Sequence, residues 1–376
     1  MVSIKNIIKL FIYNFFRIFP LNPNKVLIFS YYGEHYSGSP KYISEYLINN
    51  GNYQVVWAFV DINSHDVNCD AVKYGGIKYY YCLATSGTVI TNYRQTPEFK
   101  RRKLQKYIQT WHSSLRLKMI EKDAENTLGS DYIKMAKNDS KQITHLISGS
   151  KASTEIFERS FWYDGKIIPT GTPQCDLFFN EDTVEDCKNK VRNHYKIEPN
   201  KKIVLYAPTF RNGYKTDAYI KDFSDLHKAF QKGFNEDFVI LARFHPHMIG
   251  MIDIMNYDNN VLQATDYDDP QELMCAADVL ISDYSAIMFD YAVTKKPCFL
   301  YVPDLDNYVK TDRGLYFDIE KLPFVISKDY DELVENVSHF DSENYRIRIN
   351  EFSKEIGSYD DGKACERVGK IIKGEI

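Results

Sequence analysis

The sequence predicts an α/β protein of two Rossmann-like, doubly wound domains facing a cleft, with an amphipathic helix ahead of them. Three observations carry that expectation. Short β-branched runs alternate with helical runs along most of the chain, which is the pattern of parallel sheets covered by helices on both faces. The alternation comes in two series that part near residue 175, and 376 residues suffice for two cores of ordinary size. The chemically interesting residues fall just after predicted strands, where ligands of such folds bind.

Residues 1–24 form the predicted amphipathic helix. Ile4, Ile7, Ile8, Phe11, Ile12, Phe15, Phe16 and Phe19 recur at roughly helical spacing, interrupted by Lys5, Lys9, Asn14 and Arg17. No run approaches the ~20 apolar residues that span a bilayer, and no small-residue cleavage site precedes Asn22-Pro23-Asn24-Lys25. Such a helix either lies in a membrane interface or packs on the protein's own body.

The first domain, 25–175, has predicted strands at Val26–Phe29, Gln54–Phe59, Thr88–Thr91, Lys106–Gln109, His145–Ile147 and Ile167–Pro169, with a helix over Pro40–Asn49. Gly38 follows the first of these strands; Trp111, His112, Ser113 and Ser114 follow the fourth. The second domain, 176–376, has predicted strands at Ile203–Ala207, Phe238–Ala242, Val261–Gln263, Val279–Ile281, Cys298–Tyr301 and Phe324–Ile326. Helical runs there are Thr183–His194, Leu226–Lys232, Gln271–Ala277, Ile287–Val293 and Asp329–Val337. Thr209 and Arg211, then Arg243, His245 and His247, then Ser282 to Ser285, each follow a strand.

Composition excludes several classes. Hydrophobic residues make up 44% and charged residues 26%, as in a soluble globular protein, and a net charge of -4 argues against a nucleic-acid binder. Seven scattered cysteines without a CxxC pair suit reduced thiols and argue against a cysteine zinc site. No GxxxxGK[ST] loop and no GxGxxG after a strand occur.

The stretch 278–292, DVLISDYSAIMFDYA, reads as a buried strand, a polar turn and a helix opening at Ser285. Free N–H groups and the helix dipole make such a junction an anion site; the plainer reading is that Ser285 caps the helix. In RFHPH at 243–247, Arg243 and His245 share one side of an extended segment, suiting a phosphate or diphosphate. His-x-His as a metal pair is the weaker alternative. His112 is placed either as a general base in a cleft or as a hydrogen-bonded structural histidine. Asp266 and Asp268 either hold a cation or precede a helix start with Asp269 as cap, Pro270 in the first turn and Glu272 behind it.

Taken together, QTWH at 109–112, LKMIEKDA at 117–124, GTP at 171–173 with Asp176, LYAPTFR at 205–211, RFHPH at 243–247 and AADVLISDYSAIMFDYAVTKKPCFLY at 276–301 resemble the CDP-glycerol glycerophosphotransferase family of teichoic acid primases and polymerases. The resemblance implies a glycosyltransferase-B-like fold and transfer of glycerol phosphate or another alditol phosphate from CDP-glycerol or CDP-ribitol to a hydroxyl of a lipid-linked or polymeric glycan. CMP leaves, in teichoic acid or capsular polysaccharide synthesis at the cytoplasmic face of the membrane. It implies His112, His245 and Asp290 as catalytic residues. Arg243, Ser285, Ala286, Thr209, Arg211, Ser282 and Asp283 would form the donor site, and Trp111, Ser113, Ser114 and Gly38 would lie on the acceptor side. No cofactor, metal or nucleic-acid partner is implied. The chain departs from the family pattern at Ser113-Ser114-Leu115-Arg116, Gln174 and Ala286, which leaves a nucleotide-sugar transferase or an inactive assembly scaffold as alternatives.

Overall fold

The computed structural model describes residues 4–211, 218–244, 255, 257–311 and 314–375. They form two units, one of residues 1–114, 120–176 and 358–376, the other of residues 115–119 and 177–357.

Unit 1 opens with α1 (Ile4–Phe16), then β1 (Asn22–Phe29), α2 (Gly38–Asn50), β2 (Gln54–Phe59), β3 (Asp70–Lys73), α3 (Ile77–Thr85), β4 (Ser86–Thr91) and β5 (Lys106–Gln109). It continues with α4 (Ser130–Ser140), β6 (His145–Ser148), α5 (Lys151–Ser160) and β7 (Ile167–Pro169). The seven strands pair in parallel in the order β3-β2-β1-β4-β5-β6-β7. Central strands buried on both faces read as continuous apolar runs, which is why VVWAF and TVIT stand out in the sequence. The sheet edge β3 buries only Val72 and carries no comparable pattern.

Unit 2 repeats the plan with α6 (Glu181–Tyr195), β8 (Lys202–Tyr206), α7 (Ser224–Phe234), β9 (Phe238–Ala242), β10 (Val261–Gln263), α8 (Pro270–Ala276) and β11 (Val279–Ser282). It ends with α9 (Ile287–Ala292), β12 (Cys298–Tyr301), α10 (Leu305–Thr311), β13 (Val325–Ser327), α11 (Tyr330–Ser338) and α12 (Ser342–Glu355). Its six parallel strands run β10-β9-β8-β11-β12-β13. Both sheets reverse direction of strand addition once, between β1 and β4 and between β8 and β11. Those reversals leave a crevice at the carboxyl ends of the strands. Asp269 caps α8 by accepting the Gln271 N–H, with Pro270 behind it, as the cap reading expected. Glu272 instead meets Lys190 and the Tyr267 hydroxyl.

The sequence expectation divided the chain once, at 175/176; the compact units part at 176/177, with residues 115–119 in unit 2 and residues 358–376 in unit 1. Helix α13 (Ala364–Lys373) belongs to unit 1, where Cys365, Val368, Ile371 and Ile372 join the core beside Ile43 and Leu47 of α2. Asp176 accepts the N–H groups of Ala364 and Cys365 at 3.0 and 2.7 Å, capping the positive end. Lys106 donates to the carbonyls of Ile371 and Ile372 at the other end. Unit 1 thus supplies both caps. A two-series pattern cannot reveal this, because the apolar face of a terminal helix carries no mark of which core it completes.

The N-terminal segment clusters with unit 1 too. Tyr13 of α1 is buried against Phe99 and donates to the Lys100 carbonyl, and Phe16 meets Tyr81 of α3 edge-on. Ile7, Ile8, Phe11 and Phe15 stay exposed. Replacing Ile371 with alanine should destabilise the protein by about 2–5 kcal/mol, seen as a lower urea midpoint. An unchanged midpoint would detach α13 from the first core.

Candidate functional site

In unit 1 the loops at the strand reversal gather aromatic rings around an imidazole. After β1 the backbone turns through left-handed conformations at Tyr31 (φ 46°), Tyr32 (φ 57°) and Gly33 (φ 87°). Tyr93, just beyond β4, lies 5.0 Å from Tyr31, 5.2 Å from Tyr32 and 5.4 Å from His112, centroid to centroid. Trp111, just beyond β5, is also left-handed (φ 53°), and its ring lies 4.4 Å from that of His112. A bulky residue held there stores about 1–3 kcal/mol and needs surroundings that over-determine it.

Gln109 and Thr110 supply part of that constraint. The Gln109 side chain accepts the Trp111 N–H at 2.9 Å and donates to the Tyr93 carbonyl, while the Thr110 hydroxyl donates to the Trp111 carbonyl. Beneath the indole, Phe161 meets Trp111 edge-on and the Arg94 guanidinium lies 3.8 Å from the Phe161 ring centre. Arg94 is itself fully buried between Glu121 at 2.8 Å and Asp139 at 3.2 Å. Burial pushes the Asp139 carboxyl up to about 6, against the pull of Arg94. Burial also pushes the Tyr32 hydroxyl up to about 12 and raises that of Tyr93. Both phenols therefore stay protonated at neutral pH, and the half-buried His112 lies among these rings.

The other acceptor-side candidates are structural in placement. Gly38 opens α2 at φ +68°, and a Cβ there would sit 3.2 Å from Asn92 Nδ2. Ser113 and Ser114 are buried, and the Ser114 carbonyl accepts the Ser153 hydroxyl at 2.7 Å. Gln174, a departure from the family pattern, has a definite job: its Oε1 accepts the Ser39 N–H at 3.0 Å in the first turn of α2.

In unit 2 the corresponding reversal brings together the loops after β8 and β11. Asp283 accepts the Thr209 N–H and hydroxyl, and pairs with Arg211 at 2.8 Å. Arg211 turns its other face to Asp304, at 2.8 Å, and lies over the Tyr284 ring at 4.8 Å. Thr209, Arg211 and Asp283 were expected to face a ligand; the structure turns their side chains toward one another. Ser282 is buried, and its hydroxyl donates to the Ala207 carbonyl. A guanidinium at 5% exposure requires paired oxyanions, a demand that local sequence does not express.

The helix expected to open at Ser285 opens one residue later, with Ala286 as its cap residue and Ser285 Oγ 3.4 Å from the Ile287 nitrogen. Ser285 and Ala286 are half-buried, so this turn rather than the Arg211 lock is the accessible part of the loop. Asp290 is buried in α9. Arg243, half-buried beyond β9, donates from one nitrogen to the carbonyls of Ala264 and Tyr267, which orients its side chain. His245 and His247 lie outside the described residues. Among the described residues no cluster of His, Cys, Asp or Glu could hold a metal ion. Gln109, Tyr93, Arg94 and Tyr284 went unassigned in the sequence, and Asp304 reads with Asp306 as an acidic pair that could hold a cation. Of the unassigned four, only Gln109 and Tyr284 carried a signal, as neighbours of His112 and Ser285.

Two parallel sheets, each with polar and aromatic loops at its strand reversal, define a doubly wound α/β protein with nucleotide-type ligand positions. The chain belongs to the CDP-Glycerol:Poly(glycerophosphate) glycerophosphotransferase family, whose profile matches residues 11–374. It is 31% identical over 371 residues to a teichoic acid poly(glycerol phosphate) polymerase of Staphylococcus epidermidis, covering 95% of this chain and 51% of that one. It thus spans about half of that relative. Against a teichoic acid glycerol-phosphate transferase of Staphylococcus aureus it is 30% identical and covers 98% of each chain. The solved wall teichoic acid polymerase TagF superposes with a TM-score of 0.85 at 30% identity, over 99% of this chain and 95% of that one.

Asp283→Asn should destabilise the protein by about 3–5 kcal/mol, because it strips a buried guanidinium of one partner. Urea denaturation would register it; an unchanged midpoint would release Asp283 from its structural duty.

Proposed function

We propose that this chain transfers an alditol phosphate, glycerol phosphate or ribitol phosphate, from a CDP-alditol to a hydroxyl of a lipid-linked or polymeric glycan in teichoic acid synthesis. The observation that carries the reading is the clamped imidazole: His112 stands on a left-handed Trp111 held by Gln109 and Thr110. Membership of the glycerophosphotransferase family supports the donor class. A glycosyltransferase-B-like fold is part of the proposal.

In this mechanism the acceptor oxygen attacks the β-phosphorus while His112 takes its proton. The bond between that phosphorus and the bridging oxygen breaks, and CMP leaves with the oxygen. Arg243 and the backbone N–H groups at Ser285–Ile287 stabilise charge on the phosphoryl oxygens, His245 joins them, and Asp290 serves the donor site from α9. Pre-oriented groups of this kind act without reorganising during the step. No cofactor or metal takes part.

We also place the protein at the cytoplasmic face of the membrane. No helix among the described residues is long and apolar enough to cross a bilayer. Phe11 is 72% exposed on α1 and Leu104 82% exposed beside the basic run Lys100–Lys103. Apolar side chains flanked by cations suit an anionic lipid surface.

Incubation with CDP-glycerol, CDP-ribitol and UDP-sugars, each with a teichoic acid primer, tests the chemistry. Release of CMP from a CDP-alditol with mass gain on the primer is expected; turnover of a UDP-sugar alone would overturn the reading. His112→Ala should lower kcat by about 100-fold or more, and retention of a tenth of wild-type turnover would remove the base. Phe11→Glu with Phe15→Glu should shift the protein out of the fraction sedimenting with anionic vesicles. Undiminished sedimentation would refute the membrane contact.

A further inference from the structure

Residues Leu115–Met119 follow His112 closely in the chain yet cluster with unit 2. The Met119 N–H donates to the Gly314 carbonyl and the Tyr316 N–H to the Leu117 carbonyl, both at 2.7 Å, and Lys118 bridges Leu315 in antiparallel fashion. A Cβ on Gly314 would lie 2.8 Å from the Met119 sulfur, so the two residues are in close contact. The segment is a short strap laid along residues 314–316.

Lys118 meets a ring that stacks on the segment carrying Ser285 and Asp290, and Arg116 interacts electrostatically with Asp290. Arg116 is 3% exposed. Burial draws its guanidinium down to about 9, with Tyr316 and Asp290 opposing the shift, so it remains charged at neutral pH. Lys118 Nζ lies 5.1 Å from the centre of the Tyr308 ring, which stacks on Tyr284 at 3.6 Å and 11°. The Tyr284 hydroxyl donates to Asp304, the carboxylate that also holds Arg211. One end of the 284–290 segment is thus tied to Lys118 through two stacked rings, and the other lies within the field of Arg116.

We propose that Leu115–Met119 is a positioning strap for the donor site, with Arg116 steadying the helix that bears Asp290 and Lys118 steadying the Tyr284 turn through Tyr308. The inference rests on the CDP-alditol reading and adds to it two residues that contact no reacting atom.

Steady-state kinetics with the CDP-alditol that the wild-type enzyme turns over, varying donor and acceptor separately, tests the strap. Arg116→Met and Lys118→Met should each raise the donor KM by about tenfold while the acceptor KM stays put, the sign of lost donor-side binding. Arg116→Lys should recover most of the donor KM. Donor KM values within about twofold of wild type in both methionine variants would overturn the strap. An equal rise for donor and acceptor would do the same, since it signals general distortion. Should Arg116→Met fail to fold, Lys118→Met, at a half-buried position, decides alone. Wild-type protein inactive on every CDP-alditol would overturn the functional reading and the strap with it; active wild type with unaltered variants overturns only the strap.

Discussion

A guanidinium taken almost wholly out of water loses its hydration, and carboxylates around it offset that cost. In unit 2 the ends of β8, β11 and β12 supply that arrangement together: Arg211 from the first, Asp283 from the second and Asp304 from the third. Three loops from three parallel strands are thereby fixed at one end of the sheet. The turn at Ser282–Ser285 owes its shape to this lock, since Asp283 is held on one side and Tyr284 on the other. The accessible groups, Ser285 and Ala286, are what remains once their neighbours are committed.

Unit 1 solves the same problem with other chemistry. Its buried cation, Arg94, sits between Glu121 and Asp139 and beneath aromatic rings, and the strain it supports is the left-handed Trp111. In both units a charged core network lies one layer behind the residues that face solvent. Rigid support of this sort is what a displacement at phosphorus needs, because misplacement of a base by an ångström forfeits much of its effect. The proposed strap at Leu115–Met119 extends the principle within unit 2, where Lys118 meets the Tyr308 ring that stacks on Tyr284.

Much of the fold was legible because buried parallel strands are written as apolar runs. Gln54–Phe59, Lys106–Gln109 and Phe238–Ala242 have the same limits in sequence and structure. Edge strand β3 and helices α4 and α5 were not legible: the first buries a single side chain, and the helices show few apolar residues for their length. At the site, His112 and Ser285 stood out because each follows a strand. The duties of Thr209, Arg211 and Asp283 did not, since nothing in a linear string reveals that Asp304, 93 residues beyond Arg211, is its partner.

The sequence by itself determined the fold class, the two series of strands, the loops that carry chemistry and, through its motifs, the family. Those properties are local, set by periodicity and by residues adjacent in the chain. Tertiary structure alone decided which polar residues face inward, which core receives α13 and which unit receives Leu115–Met119. Each depends on burying charge or apolar surface against groups far away in sequence, and the free energy of such burial exists only once the chain has packed.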